Sequence, residues 1–250
     1  MTTTRTPATN SSNRAPMDSL RRTALLVGVL FVITYITSIA AKFAFYPPFL
    51  DDAGYITGNG EDTRVLWGAF SEMILIIANI GTAVALYPVL KRRFPGLSLG
   101  FVTARVMESV FIGVGILAVL TLVTMRQDFS SAGGDTAGLA PVGHALVTLQ
   151  EWTFNLGPGF VVGVGNGLIL GYMMYRTGLV PRGMAMLGLV GGALIVLLGT
   201  AVMFGLTEAG SAAHTLASMP EFFWELSFGI YLIVKGFKSS AVTADMVDAR

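Results

Sequence analysis

Long uninterrupted apolar runs constrain this chain more than any other feature of its sequence. Five stretches of about 20 residues or more carry almost no charge, and a sixth reaches that length once an adjoining Asn-Leu-Gly-Pro segment is included. About 20 helical residues cross the roughly 30 Å hydrocarbon core of a bilayer. Only 12% of the residues are charged, well below the share of about 25% in soluble domains. The sequence therefore predicts an all-α, polytopic membrane bundle with six transmembrane helices.

Polar connections separate the six predicted spans. The spans cover about residues 23–45, 65–90, 97–123, 156–175, 184–206 and 219–237. We predict a disordered cytoplasmic tail over residues 1–20, one transmembrane domain over 21–238 and a cytoplasmic tail over 239–250. Arg21-Arg22 before the first span also fits a twin-arginine signal. The apolar run is longer than a signal core and more spans follow, which favours an uncleaved first helix.

Residues 142–156 combine an apolar stripe with a polar one. Val142, Leu149 and Trp152 recur at helical spacing, whereas His144, Thr148, Glu151 and Asn155 form the opposite stripe. The following Gly157-Pro158-Gly159 is expected to break or kink the helix. The segment is therefore predicted to be an amphipathic helix at the outer face, or an extended lead-in to the fourth span.

Lys and Arg are distributed unequally between the two sides of the predicted bundle. With the N-terminus in the cytoplasm, twelve of the 16 Lys and Arg residues fall on the cytoplasmic side, as expected for this compartment. Trp67, Trp152 and Trp224 then all fall at the outer interface, where amphipathic rings are favoured. We therefore predict a multi-pass protein of the cell (plasma) membrane with both termini in the cytoplasm.

A few polar and charged side chains lie within the predicted spans. Each charge near the centre of a lone helix costs about 2.5 to 3.5 kcal/mol, so these groups should face one another or water. Arg105 and Glu108 are spaced to pair on one helical face, and Glu72 and Glu225 are predicted at similar depth. The candidate ligand- or ion-binding residues are Glu72, Asn79, Arg105, Glu108, Glu151 and Glu225.

Two interpretations of these groups remain open. In the first, Glu72 and Glu225 bind a cation, a proton or a ligand amine in an outward-facing polar cavity, which Asn79 extends and the polar stripe of residues 142–156 lines at its mouth. In the second, the charges hold the helices together, with Arg105 bridging Glu108 and one other acid. The sequence favours the second interpretation by a small margin.

The sequence lacks the usual signatures of metal and catalytic sites. There is no cysteine, and the two histidines are His144 and His214, of which the second is predicted in a distant outer loop. His144 and Glu151 alone do not complete a zinc site, which needs three or four protein ligands. We find no His-Glu-x-x-His or Gly-x-Ser-x-Gly motif. We therefore predict no metal, no cofactor and no catalytic residue, and a net charge of +1 gives no support for a nucleic-acid partner.

Glycines recur every four residues in the fourth span and again in the fifth. Such a ridge allows two helix backbones to approach closely, so the two spans are predicted to cross in tight contact. The residues concerned are Gly159, Gly163, Gly167, Gly171, Gly188 and Gly192.

Several short motifs, in their order along the chain, resemble one bacterial membrane-protein family. They are Tyr87-Pro88-Val89-Leu90-Lys91, Arg105-x-x-Glu108, Gly178-Leu-Val-Pro181-Arg182, and Glu225 with Leu232, Lys235 and Gly236. The chain resembles the family catalogued as domain of unknown function 4386 over about residues 20–238. The resemblance implies six spans in a bacterial plasma membrane, and it implies no activity.

Three kinds of function are consistent with the sequence. A non-enzymatic helix bundle is preferred, acting through packing in the lipid bilayer or through binding a membrane-protein partner or a second copy of the chain. A small-solute or proton-linked transporter with an outward-facing acidic cavity is the alternative. An intramembrane enzyme that uses a carboxylate pair as acid and base comes third.

Overall fold

The computed structural model describes residues 15–50, 55–56, 61–132 and 136–239, and all regular structure in these ranges is helical. Helix α1 (Ala15–Ile39) continues through a π-helical turn (Ala40–Phe45), and the short α2 (Pro47–Leu50) follows. The next helices are α3 (Asp62–Leu90), α4 (Pro95–Ala132) and α5 (Ala140–Phe154). Helix α5 continues through two π-helical segments, Asn155–Val161 and Gly163–Leu170, into α6 (Gly171–Thr177). The last two are α7 (Arg182–Met203) and α8 (Ala212–Val234).

Five helical stretches of the described residues are long and apolar enough to cross a membrane. They are Ser19–Phe45, Asp62–Leu90, Pro95–Phe129, Ala140–Thr177 and Arg182–Met203. The all-α class is therefore confirmed, together with several membrane-spanning candidates. Helix α8 is not one of the five; it contains Glu221 and Glu225, which lower its mean hydropathy. The sixth crossing stays a prediction.

The long helices form a closed ring. Helix α1 packs between α3 and α8, and α3 also packs against α4. The continuous α5–α6 helix lies between α4 and α7, and α7 packs against α8 to close the ring. The chain alternates in direction, so α1 begins where α3, α6 and α8 end. We call this the basic end, and the opposite end the cavity end.

A cluster of large apolar side chains fills the ring at the basic end. Every long helix contributes to it, for example Phe31 of α1, Leu90 of α3, Phe101 of α4 and Phe228 of α8. The rings of Phe31 and Phe228 meet edge to face, with centroids 5.1 Å apart. This apolar plug closes the ring at the basic end.

The fourth and fifth predicted spans approach as closely as the glycine spacing suggests over part of their length. A Cβ atom added to Gly163 would lie 2.9 Å from the carbonyl oxygen of Gly192, and one added to Gly171 would lie 3.2 Å from the backbone nitrogen of Leu189. Gly167 lies directly against Gly192. Gly188 instead faces the ring of Trp224, and Gly159 contacts only the backbone of its own helix.

The structure corrects two expectations for residues 142–159. The Gly157-Pro158-Gly159 sequence does not break the helix, because the wider π-helical turns of Asn155–Val161 accommodate it. Gly157 serves packing instead: a Cβ atom there would lie 2.6 Å from Cβ of Phe111 on α4. Residues 142–156 are continuous with the following helix in one membrane-span candidate, Ala140–Thr177, which agrees with the predicted extended lead-in and not with a separate helix at the outer face. Their apolar stripe, with Leu149 and Trp152, is exposed on the outside of the ring.

The structure also corrects the predicted position of Trp224. Trp67 and Trp152 are exposed on the surface of the ring, but Trp224 is fully buried inside it. The Trp224 ring packs on Gly188, and its Nε1–H donates to the carbonyl oxygen of Asn166 at 3.1 Å. The absence of a side chain at Gly188 gives the indole its space, so this tryptophan is a core residue and not an interfacial anchor.

The predicted tails lie mostly outside the described residues. Residues 1–14 and 240–250 are outside, whereas residues 15–20 form the first turns of α1. Leu20 is buried there, and Nη1 of Arg21 donates to the carbonyl oxygen of Leu232 at 2.8 Å. The described part of α1 therefore includes residues 15–20, which were predicted to belong to the tail.

A polar cluster holds the connection between α1 and α3 to α4. Asp62 accepts hydrogen bonds from Tyr55 at 2.8 Å, from Arg126 at 3.0 Å and from Gln127 at 3.0 Å. Nε of Arg126 also donates to the carbonyl oxygen of Tyr55 at 3.2 Å. Burial, together with the hydrogen bond to Asp62, raises the pKa of Tyr55, so its hydroxyl remains a neutral donor.

We expect Asp62→Asn to lower the free energy of unfolding by roughly 1 to 3 kcal/mol, because an amide cannot accept charge-assisted bonds from all three donors. Thermal unfolding of the purified protein in detergent measures the change. Asp128→Asn is the matched control, since Asp128 is exposed near the same end of α4. Equal melting temperatures for the two variants would contradict a stabilising role of the cluster.

Candidate functional site

A cavity of about 670 Å³ occupies the centre of the ring at the cavity end. Its wall includes side chains from α1, α3, α4, α5, α7 and α8. The apolar plug lies beyond its floor toward the basic end, and the connection between α7 and α8, with Ala209 and Gly210, borders its mouth. In the described part of the chain, the ring therefore encloses a chamber with its mouth at the cavity end and the apolar plug toward the basic end.

The structure places all six sequence-predicted polar residues on the wall of this one cavity. They are Glu72, Asn79, Arg105, Glu108, Glu151 and Glu225. Of the polar stripe on residues 142–156, Asn155 also lines the wall, whereas His144 and Thr148 do not. His214, expected in a distant loop, lies in the first turn of α8 and lines the mouth.

Arg105 and Glu108 form a buried ion pair near the floor. Their Nη1 and Oε2 atoms are 2.7 Å apart, and both side chains are at most 5% exposed. Asn79 on α3 donates to Oε1 of Glu108 at 2.8 Å, and the Arg105 guanidinium lies 5.5 Å from the ring centroid of Phe31 on α1. Both oxygens of Glu108 are thus engaged, and the unit joins three helices.

Glu225 is engaged from the opposite side of the cavity. Nδ2 of Asn166, in the second π-helical segment, donates to Oε1 of Glu225. The carbonyl oxygen of the same Asn166 accepts from Trp224, so one asparagine ties two successive residues of α8 to the fourth span. The π-helical backbone turns Asn166 inward, and sequence periodicity alone does not indicate this.

Glu72 is engaged nearer to the mouth. The hydroxyl of Tyr46 donates to Oε2 of Glu72 at 2.7 Å, and both residues are buried. Tyr46 follows directly after the π-helical turn that ends the first span. It also fills the space above Gly68 of α3, which fixes the ring against that helix.

Glu221 differs from the other acids of the cavity, and sequence reasoning overlooked it. It is 2% exposed, it lines the cavity, and neither of its carboxylate oxygens has a hydrogen-bond partner among the described residues. It lies four residues before Glu225, on the same face of α8. That spacing, inside a predicted span, is the signal that identifies it.

Lys42 and an aromatic ring lie at the mouth. Nζ of Lys42 is 3.9 Å from the ring centroid of Phe154, which is a cation–π contact. The exposed Glu151 and the half-buried His214 border the same opening. Lys42 and Arg105 are the two basic side chains on the described wall, whereas five carboxylates lie there: Glu72, Glu108, Glu151, Glu221 and Glu225.

The charges of the wall favour cations. Arg105 is paired with Glu108, and Lys42 stays at the mouth, so Glu72, Glu221 and Glu225 have no basic partner within ion-pair distance in the described part of the chain. Such carboxylates hold a proton or attract a cation. A ring of apolar helices that encloses a cavity with several carboxylates on its wall defines the class: an α-helical membrane protein with an internal, partly acidic cavity.

Within this class, the chain belongs to the family described as domain of unknown function (DUF4386), whose model matches residues 26–236. The matched region begins within α1 and extends past the end of α8, so it includes most of the ring and all the residues that line the cavity. No curated protein and no solved structure matches the chain. The family membership thus confirms the resemblance seen in the sequence motifs and carries no activity with it.

Proposed function

We propose that this protein is a six-span membrane protein that binds a small solute in its central cavity and moves it across the cell membrane. Both termini lie in the cytoplasm in this proposal, and the cavity opens to the outside. The observation that carries it is Glu221, which is buried on the wall of a 670 Å³ chamber and has no hydrogen-bond partner among the residues that the structure describes. A buried carboxylate without partners is costly, and proteins keep such groups at functional sites.

The distribution of charge supports the proposed orientation. Nine of the described Lys and Arg residues lie at the basic end: Arg21, Arg22, Lys91, Arg92, Arg93, Arg176, Arg182, Lys235 and Lys238. Three lie at the cavity end: Lys42, Arg64 and Arg126. Because cytoplasmic flanks retain the excess of basic residues, the basic end is assigned to the cytoplasm.

The arrangement of cavity and plug supports a carrier. A chamber open at one end and closed by packed side chains at the other corresponds to one state of an alternating-access cycle. The first π-helical segment of the fourth span lines the chamber with Asn155, Pro158 and Gly159, and the second holds Glu225 through Asn166. Such π-helical turns are frequent at functional sites. We propose that these turns are where the helix rearranges when the chamber changes its opening.

The preferred sequence-based function, packing without chemistry, is favoured by other contacts of the same cavity. The Asn79–Glu108 bond joins α3 to α4, and the Asn166–Glu225 bond joins the fourth span to α8. We propose a division of roles in which these paired acids hold the ring together and Glu221 serves the solute.

Single cysteines test the cavity and its orientation, because the chain has no cysteine of its own. Ser218 lines the cavity on α8. We expect Ser218→Cys to react in intact cells with the impermeant 2-(trimethylammonium)ethyl methanethiosulfonate, and at least about tenfold more slowly with the anionic 2-sulfonatoethyl analogue, because the acidic wall attracts cations.

Two control cysteines complete this experiment. Glu208→Cys, exposed near the mouth, should react with both reagents from outside, and Ser239→Cys, beyond α8 at the basic end, should react only after the cells are opened. If the Ser218→Cys variant reacts only when denatured, the chamber is not open and the proposed function fails. If the Ser239→Cys variant reacts from outside and the Glu208→Cys variant does not, the orientation is reversed.

A further inference from the structure

The position of Glu221 is fixed by the backbone around it. The backbone of Glu221 lies directly against Gly191 of α7, and a Cβ atom at Gly167 would lie 2.8 Å from its Oε2 atom. Glycine at both positions leaves the space that the carboxylate occupies, so helices from both sides hold it at the wall. A buried carboxylate on the cavity wall that has no hydrogen-bond partner in the described part of the chain can accept donors from a ligand.

The missing partner is positively charged. Arg105, the basic residue deeper in the cavity, directs its Nη1 to Glu108 at 2.7 Å and makes no ion pair with Glu221 in the described part of the chain. The other acids on the inner wall of the cavity include Glu225, one helical turn further along α8, and Glu108, which is paired with Arg105. Because a carboxylate among carboxylates favours the approach of a cation, an N–H donor that carries a full charge fits the site best.

The size and the wall of the cavity indicate an organic cation. Cavities that bind organic ligands measure about 300 to 1,000 Å³, and this one measures about 670 Å³. In the described part of the chain, no three His, Asp or Glu side chains are grouped closely enough to hold a metal ion. Next to Glu221, the rings of Phe222 and Tyr35 pack together with centroids 4.7 Å apart, and both line the cavity.

From these contacts we infer that the cavity binds a small organic ammonium ion, with its charged nitrogen at Glu221 and its apolar part against Phe222 and Tyr35. The inference rests on the proposed function and names the chemical class of the solute. Glu221 binds the cation directly, and the aromatic rings provide an apolar surface and favourable cation–π contacts. Lys42, whose Nζ lies over the Phe154 ring at the mouth, makes no ion pair with Glu221 in the described part of the chain.

Protection of the Ser218→Cys variant from modification tests the inference. The uncharged reagent methyl methanethiosulfonate is used, so that the charge of the wall does not itself change the rate. Benzylammonium, benzyl alcohol and benzoate serve as probes of similar shape with positive, neutral and negative charge. We expect benzylammonium to protect the introduced cysteine at a concentration at least about tenfold lower than benzyl alcohol, and benzoate to give no protection.

Substitution of Glu221 sharpens the test. In the Ser218→Cys background, Glu221→Gln should raise the benzylammonium concentration needed for protection by roughly ten- to a hundredfold, which corresponds to the loss of one charge-assisted hydrogen bond. The concentration of benzyl alcohol needed for protection should not change. Glu221→Asp keeps the charge, so it should raise the benzylammonium concentration needed for protection less than Glu221→Gln does. The comparison separates loss of the charge from loss of the fold. Glu208→Gln is the matched control at an exposed position outside the cavity wall and should change neither value.

The outcomes distinguish the inference from the proposed function. Equal protection by benzyl alcohol and benzylammonium, or no effect of Glu221→Gln, overturns the ammonium class while the introduced cysteine remains reachable and the cavity stands. No protection by benzylammonium, with the Ser218→Cys variant still reactive from outside, overturns it as well. A cysteine at position 218 that is unreactive in the folded protein removes the proposed function itself.

Discussion

Glu108→Gln is expected to destabilise the protein by roughly 3 kcal/mol, the largest effect of a neutral, isosteric substitution in the cavity. Removing one partner of a buried ion pair leaves the other charge without compensation. Arg105 is 2% exposed, and in the described part of the chain its ion-pair partner is Glu108, through the Nη1–Oε2 contact. Its remaining hydrogen bond, from Nε to the hydroxyl of Thr82, is 3.4 Å long. Glutamine cannot replace the lost charge.

The same substitution also disturbs a contact between helices. Asn79 of α3 donates to Glu108 of α4 at 2.8 Å, and the Oδ1 atom of Asn79 already lacks a partner among the described residues. A glutamine at position 108 offers one acceptor where the carboxylate offered two, so Asn79 and Arg105 compete for it. We therefore expect the variant to unfold at lower temperature in detergent and to elute partly as aggregate.

A double variant tests whether the unpaired Arg105 causes the loss of stability. Arg105→Gln combined with Glu108→Gln buries no unpaired cation and should be more stable than Glu108→Gln alone. Glu151→Gln, at the exposed rim of the same cavity, is the matched control and should stay within about 0.5 kcal/mol of the wild type. A wild-type melting temperature for Glu108→Gln would show that Glu225 and Glu221, rather than Glu108, compensate Arg105.

Hydropathy predicted most of the helices because a run of apolar residues determines a membrane helix by its own composition, without contacts from elsewhere in the chain. A span of apolar residues has few alternatives to a membrane helix, so α3, α4 and α7 begin and end within a few residues of their predicted limits, apart from the C-terminal extension of α4 to Ala132. The fourth span was harder to predict because proline and glycine usually end helices in water. Here a wide π-helical turn accommodates Pro158, and Gly157 packs against Phe111. That outcome depends on a neighbouring helix, which no local pattern reveals.

The site was predicted in part, for a similar reason. The cost of charge in lipid required the acids of the spans to face inward, and one cavity wall includes all six predicted residues. The partners of these acids were not predictable from the sequence. Tyr46 and Asn166 are positioned by π-helical turns, which change the direction in which the following side chains point from the helix. Trp224 was misplaced because an indole between two helices and an indole at a membrane interface share one sequence pattern. Only the glycine opposite it, Gly188, distinguishes them.

Gly192→Ala is expected to destabilise the protein by about 1 to 3 kcal/mol or more, a large effect for a single methyl group. The added Cβ atom would lie 2.5 Å from the carbonyl oxygen of Gly163 and 2.7 Å from Cα of Gly167. Both are backbone atoms, which cannot rotate away as a side chain can, so α7 and the fourth span must separate. Separation also moves Gly191 and Gly167 away from Glu221, so the cavity wall changes with the packing.

Gly183→Ala on the same helix is the matched control, because nothing lies within 4 Å of the Cβ atom it would add. Alanine is favoured over glycine in a helix, so this variant should equal or slightly exceed the wild type in thermal stability. In the Ser218→Cys background, Gly192→Ala should also weaken protection by benzylammonium, whereas Gly183→Ala should not. If the two variants have equal melting temperatures, the close contact at the glycine ridge does not stabilise the packing of the fourth span against the fifth. The position of Glu221 must then be set by α8 alone.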